Sequence, residues 1–305
     1  MNQSSTTIGL PRAFLYYRCA TLWKTFFQEL GCAVLESAET CRSTWKQGNR
    51  NTVGPCCLPF QIFLGHVWEL IGLCDYILVP RFQKLGRDEE FCTRYMGLYD
   101  IVCSTYPQAA LLDYNLNGKH SERTGFIRMG LRLGCTARQA LHAYGAGKQA
   151  QSEAERLLKE AQDLQWEKPQ LKILLAAQPY LLHDPYIGGQ VQQLLREQGG
   201  LPLFSDRCDR ERCQQAGRAF SAPLYWTLNR EEAGAVLSYR QRVDGVILLT
   251  AFPCGTNAMV NELLLRQKQA TPTIQVFLDE LQGLAGLQTR IESFMDILQT
   301  RRQTV

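Results

Sequence analysis

The stretch "GPCCLPFQIFLGH", Gly54 to His66, sets two thiols, Cys56 and Cys57, directly before Leu58–Pro59 and an apolar run. Two further cysteines stand apart with Cys57. Cys254, in "TAFPCGTNAMVNELLLRQ", follows an apolar β-rich run and precedes a stretch in which Met259, Val260, Leu263 and Leu264 recur at helical spacing. Cys92, in "EEFCTRYMGLYD", follows the strand-like "DYILVPRF". Proline suits the first turn of a helix, where its missing N–H costs nothing, so Cys57 is expected at the mouth of a helix. Free N–H groups and a partial positive charge at such a mouth favour the thiolate, the form of cysteine that attacks electrophiles and binds metals. The wide separation of Cys57, Cys92 and Cys254 matches no compact zinc or ferredoxin pattern. Spacing by itself therefore leaves two readings open, a shared metal site or buried and incidental thiols.

The other chemistry-bearing residues each have a plain reading beside a functional one. His66 either tunes a metal centre by a hydrogen bond to sulfur or packs in the core of its helix. Asp184 and Tyr186, in "HDPYIGG", follow a strand end and suit either a crevice lining or a turn. Glu262 and Arg290 fall on helices, where surface roles are expected. Cys208 and Cys213, in the charged "SDRCDRERC", read as incidental surface thiols, and Cys32 and Cys74, flanking strand-like runs, read as core. "YGAGKQAQ" around Lys148 resembles part of a phosphate-binding loop. Gln149 stands where that loop needs Ser or Thr for magnesium, and the flanks are helical. A helix interruption is the expected explanation, and no ATP binding is predicted for this chain.

The elements that would position these residues alternate. "TIGLPRAF" and "CAVLES" read as strands with the amphipathic "YYRCATLWKTFFQELG" between them; "DYILVPRF" and "DIVCSTY" read as further strands. In "QIFLGHVWELIGL" Phe63, Val67, Leu70 and Ile71 recur at helical spacing. A fresh series follows: "QLKILLAAQPY", "LPLFS", "DGVILLTAF" and "TIQVFLDE" as strands, with "GGQVQQLLREQGG" as a helix. Such alternation predicts parallel sheets covered on both faces, an α/β fold of two Rossmann-like doubly wound domains. Residues 1–120 form the first, 168–305 the second, and 121–167 a helical connector whose charged "QSEAERLLKEAQDLQ" is periodic and solvated.

Length and composition set the frame. A chain of 305 residues suits two ordinary domains or one large one. Its 45% hydrophobic and 20% charged content fits a soluble globular protein. The net charge of +4, without a basic stripe interleaved with aromatics, gives no support to a nucleic-acid partner. The opening "MNQSSTTIGLPRAF" lacks the charged and apolar regions of a signal peptide, and the apolar runs are too short to cross a bilayer. A cytoplasmic protein without a membrane partner is expected. Twelve cysteines exceed what packing needs, and a reducing cytoplasm argues against a disulfide framework.

One ordered series of fragments spans nearly the whole chain: "IGLPRAF…FFQELGCAVLES", "CLPFQIFLGHV", "YILVPRF", "QPYLLHDPYI", "LYWTLNRE", "VDGVILLTAFPCGTNAMVNELL" and "FLDELQGLAGLQTRIESFMD". Together they resemble the acyl-CoA dehydratase activase-related family, relatives of the 2-hydroxyacyl-CoA dehydratase subunits and the double-cubane cluster reductases. The family's motif cysteines fall on Cys57, Cys92 and Cys254. The resemblance implies that these three thiolates hold an iron–sulfur cluster in the cleft of the two domains, an oxygen-sensitive 4Fe–4S cubane in the first instance, with a double cubane as the alternative. It also implies an iron–sulfur reductase or dehydratase-like component, a low-potential electron carrier reduced by a separate ATP-hydrolysing activase. A small-molecule or acyl-CoA substrate and a homodimer are compatible with it. A scaffold or cluster-delivery subunit and a cluster-free ligand-binding protein are the rival readings. Cys56, beside the motif cysteine, is a fourth ligand, a ligand to a second cubane, or a passive neighbour; the last is preferred because adjacent side chains rarely meet at one iron. Here "FPCGTNA" stands in place of the family's "FGCGPDS", "QPY" in place of "HPY", and Thr93 where proline is usual, so substrate and potential do not carry over.

Overall fold

A computed structural model describes residues 5–86, 89–118, 121–221, 223–267, 270–280 and 284–303. The chain is mixed α/β with parallel sheets and divides into two units, Met1–Glu155 and Arg156–Val305. The first contains β1 (Thr7–Leu10), α1 (Tyr16–Glu29), β2 (Ala33–Glu36), α2 (Arg42–Arg50), α3 (Leu58–Leu70), β3 (Tyr76–Leu78), β4 (Arg81–Gly86), β5 (Glu89–Glu90), α4 (Thr93–Met96), α5 (Leu98–Thr105), β6 (Leu111–Leu112), β7 (Asn115–Asn117) and α6 (Glu122–Arg132). The long helix α7 (Ala137–Asp163) carries the division between the units within its length. The main sheet has the order β2-β1-β3-β6 with every pair parallel. A small sheet, β5-β4-β7, stands apart from it.

Two strand expectations need correction. "DYILVPRF" is not one strand but two, β3 and β4, in different sheets; Pro80 lies at the break, where it has no N–H to continue a ladder. "DIVCSTY" is the body of helix α5, which buries Leu98 and Val102, four residues apart on one face. A short apolar run does not by itself separate strand from buried helix. The fourth strand is instead the two-residue β6, in "LL".

Helix α3, which carries Cys57 at its start, is fixed by close backbone contact. A Cβ on Gly48 of α2 would stand 1.7 Å from the Gln61 carbonyl oxygen, and one on Gly65 of α3 would stand 2.0 Å from the Thr44 carbonyl oxygen. Only glycine at both places lets the two backbones meet. The phosphate-loop look-alike has a similar cause. Gly145, Gly147 and Lys148 lie inside the uninterrupted α7, correcting the expected helix interruption. A Cβ at Gly147 would come within 2.9 Å of the Leu22 carbonyl oxygen of α1, and Lys148 pairs with Glu122 at 3.2 Å. The glycine serves helix packing.

The second unit contains β8 (Leu171–Ala176), α8 (Pro179–His183), α9 (Gly189–Glu197), β9 (Gly200–Phe204), α10 (Arg210–Phe220), α11 (Thr227–Tyr239), β10 (Gly245–Ala251), α12 (Gly255–Leu265), β11 (Thr273–Leu278) and α13 (Leu284–Gln303). Its sheet, β11-β10-β8-β9, is parallel throughout. Counted within each unit, both main sheets have the same order: second, first, third, fourth. Every residue of β10 is buried, so the sheet is covered on both faces there. Cys208 and Cys213 are in this unit's core with Leu174, Val236 and Leu248, not on the surface as the charged sequence around them suggests. Asp209 caps α10 through the Arg212 N–H at 2.9 Å; the helix then turns Cys213 inward while Arg210 and Glu211 face solvent. Among the described residues, no helix is long and apolar enough to cross a membrane.

Candidate functional site

Cys57, Cys92 and Cys254 occupy one kind of position. Each is the residue immediately before the first turn of a helix, α3, α4 and α12 respectively, and each has extended backbone there: φ/ψ of −65/146, −68/161 and −87/101. That conformation is the usual one for a capping residue, whose side chain lies near the unbonded N–H groups of the first turn. None of the three sulfurs makes a capping hydrogen bond. All three are half-buried. Pro59 at the start of α3 behaves as its sequence position predicts.

The first unit brings the segments carrying Cys57 and Cys92 into contact. The Arg94 guanidinium, two residues after Cys92, donates to the Pro55 carbonyl at 3.1 Å and stands 5.3 Å from the Phe60 ring centroid. Beneath the two helix starts the side chains are aromatic. The Phe14 ring lies 5.5 Å from Phe63 of α3 and 4.5 Å from Tyr95 of α4. Phe14 has a φ of 50°, a left-handed backbone that is costly for a bulky residue, and it lies just beyond the end of β1. These rings line an apolar cavity of about 10 Å³ together with Pro11, Leu78 and Pro80, at the carboxyl ends of β1 and β3.

Cys254 of the second unit follows the carboxyl end of β10, and its sulfur lies 3.5 Å from the Thr256 hydroxyl. One turn into α12 the surroundings become polar and closed. Asn257 donates to both oxygens of Glu232 at 3.0 Å, and Asn261 donates to the Thr250 hydroxyl at 2.9 Å, which also receives Gln275 at 3.0 Å. Burial pushes the Glu232 carboxyl up to about 8, against a smaller lowering by Asn257, so it holds its proton at neutral pH. Beside it Gln178 of the segment after β8 donates to Asn229 of α11 at 3.3 Å. The side-chain oxygens of Gln178, Asn257 and Asn261 and the Asn229 amide nitrogen are buried without a hydrogen-bond partner.

Cys56 is buried, its sulfur turned toward the Val53 carbonyl at 4.0 Å, while Gln61 holds its backbone carbonyl at 2.9 Å. His66 is fully buried; its Nε2 lies 2.9 Å from the Thr40 hydroxyl and its Nδ1 3.5 Å from Glu69. Asp184 accepts from the N–H groups of Tyr186 and Ile187 at 2.8 and 3.1 Å, a turn-forming role. Glu262 pairs with Arg266 on its own helix at 2.9 Å, and Arg290 is exposed on α13. One reactive thiol escaped the sequence reading. Cys41 caps α2, is exposed, and is lowered to about 7 by hydrogen bonds from the Ser43 and Thr44 hydroxyls at 2.9 and 3.4 Å. The signal was "CRST", a capping residue followed by hydroxyls within one turn. Among the described residues, no three or more His, Cys, Asp or Glu side chains are gathered as a metal site.

Residues 7–207 match the family described as "CoA enzyme activase uncharacterised domain (DUF2229)". The matched segment includes Cys57 and Cys92 and stops short of Cys254. No curated protein matches the chain significantly. Among solved structures, one titled "Crystal structure of ZnuA" is similar at 11% identity over 96% of this chain and 99% of its own, with a TM-score of 0.24, a likeness too loose to inform fold or function.

Proposed function

Because the chain belongs to the CoA enzyme activase uncharacterised domain family, we propose that it is an iron–sulfur protein, a low-potential electron carrier or reductase that a separate ATP-hydrolysing activase reduces. The observation that supports this reading is one local geometry repeated three times: Cys57, Cys92 and Cys254, each in extended backbone at the start of a helix. The donor set fits the group. Thiolates are the ligands of iron–sulfur clusters, and the positive end of a helix favours the anionic form that binding requires. When bound, the cluster supplies one-electron transfer, with a fourth iron left for a substrate or another ligand if three thiolates hold a single cubane. The chain's own contribution is to hold the thiols at helix starts and, under Cys57 and Cys92, to keep water away with Phe14, Phe63 and Tyr95. In this reading residues 1–120 and 168–305 are Rossmann-like, doubly wound domains, with 121–167 as the connector. An acyl-CoA is the substrate class that accords with the family's description.

The test is iron and acid-labile sulfide per chain in protein purified without oxygen. About four irons are expected for a single cubane; alanine at Cys57, Cys92 or Cys254 should remove most of them, and alanine at Cys32 should not. Wild-type protein without iron, or full iron in any of the three variants, refutes the ligand set. Adding an activase with ATP should then reduce the bound iron, while the chain alone should not hydrolyse ATP. A scaffold or cluster-delivery subunit and a cluster-free ligand-binding protein are the rival readings, and the same iron analysis separates the cluster-free form.

A further inference from the structure

We infer that Arg94 is a positioning residue: its guanidinium pins the Cys57 loop to the Cys92 helix start, so that the two thiols act as a pair within the first unit. The inference deepens the cluster reading and draws its purpose from it, but it stands on contacts that need no metal. Cys92 precedes a helix of only four residues, α4, too short to hold its place by its own hydrogen bonds. Cys57 ends a segment without regular structure that begins after α2. Each thiol therefore depends on something outside its own helix. Arg94 supplies two such ties at once, on either side of Cys57 in sequence: the hydrogen bond to Pro55 at 3.1 Å and the ring of Phe60 at 5.3 Å.

The guanidinium suits this task better than an ammonium would. It is planar, so it can lie against an aromatic ring while its edge donates in the plane to a carbonyl. The contacts beneath agree, since Tyr95, next to Arg94, and Phe63 of α3 both meet Phe14. Those rings set how deep the two helix starts lie, whereas Arg94 sets the distance of one loop from the other across their solvent side.

A short bifunctional thiol reagent, dibromobimane, applied to the full-length metal-free chain and followed by peptide mapping, tests the assignment. The wild type should yield a Cys57–Cys92 cross-link. Arg94→Gln should cut its yield at least fivefold, and Arg94→Lys, which can still donate to Pro55, should recover part of it. Phe60→Leu, which keeps the bulk and removes the ring, should give an intermediate yield. Cys32, whose thiol is pushed up first by burial and then by Cys135, provides the control with Cys135: their cross-link should be unchanged in every variant. Absence of the Cys57–Cys92 product in the wild type, or an undiminished yield in Arg94→Gln, overturns the inference. So does loss of both cross-links together in Arg94→Gln and Phe60→Leu, which would make Arg94 a general fold residue. A cross-link that depends on Arg94 in a chain that binds no iron leaves the pin standing and removes the cluster.

Discussion

The strand pair β1 and β3 of the first unit and the pair β8 and β10 of the second hold the same place in identically ordered sheets, yet they end in opposite surroundings. In an open parallel sheet, the crevice beyond the carboxyl ends of such a central pair is where ligands bind. In the first unit that place is filled by Phe14, Phe63 and Tyr95 around a cavity of about 10 Å³. In the second it is filled by Gln178, Asn229, Glu232, Asn257 and Asn261, all buried. One topology thus supports thiols on an apolar floor and a thiol on a polar one. Aromatic rings hold position by shape and keep water out, whereas a buried acid–amide pair holds position by hydrogen bonds and carries a titratable proton.

The largest expected effect contrasts the two floors directly. Phe63→Ala should cost roughly 3–5 kcal/mol, the range for deleting a buried aromatic side chain. Asn257→Ala should cost about 1–3 kcal/mol, because it strips Glu232 of its donor but leaves a neutral acid behind. Urea unfolding of both variants at neutral pH measures the pair. If Asn257→Ala proves the costlier, Glu232 is charged in the folded protein and the contrast between a shape-held and a hydrogen-bonded floor is misdrawn.

These floors differ in how well they can be read from sequence. The strands TIGL and GVILLTA and the proline at the start of α3 are local features, and the expected elements match them closely. So is the position of Cys57 and of Cys254 before a helix, whereas Cys92 reads from sequence only as a loop residue after a strand and the structure places it before the short α4. What local pattern misses is the contact between distant segments. No spacing rule connects Arg94 with Pro55, or Glu232 with Asn257, because each pair meets only through tertiary packing. The inward turn of Cys213 was hidden by the charged residues beside it, and helix α5 by an apolar run too short to show its period. Gly48 and Gly65 carry a similar lesson, since their reason lies in the helix opposite.

A second effect is a pH dependence confined to the polar floor. The Glu232 carboxyl sits at about 8 in the fold against an ordinary 4.5, so the folded chain keeps a proton that the unfolded chain releases. Stability from this group is fully present below about 4.5, declines as the pH rises, and is lost above about 8. The slope reaches at most about 1.4 kcal/mol per pH unit, the value for one proton. Glu232→Gln, neutral at every pH, should flatten this part of the curve in urea titrations between pH 5 and pH 8. Parallel curves for the two proteins would show that Glu232 ionises in the fold as it does in the unfolded chain. Phe63→Leu on the apolar floor should shift the whole curve without changing its slope.

The smallest effect is expected at Cys56, and its smallness is informative. Cys56 and Cys57 are neighbours, but the structure gives them different surroundings: one buried sulfur turned toward the Val53 carbonyl at 4.0 Å, one half-buried residue capping α3. Gln61 holds the Cys56 carbonyl at 2.9 Å and itself receives the Trp45 indole N–H at 2.6 Å, so the backbone at Cys56 is fixed in that orientation. Successive side chains on extended backbone project to opposite sides, and turning Cys56 outward would break the Gln61 contact. Cys56→Ser should therefore leave iron per chain and the absorption spectrum unchanged while costing about 1 kcal/mol in stability, the scale of one altered buried polar contact. Loss of about half the iron would mean that the loop rearranges to bring a second thiol to the metal. In that event Cys56, with others such as Cys103, would serve a double cubane, and the buried orientation of its sulfur would belong only to the metal-free chain.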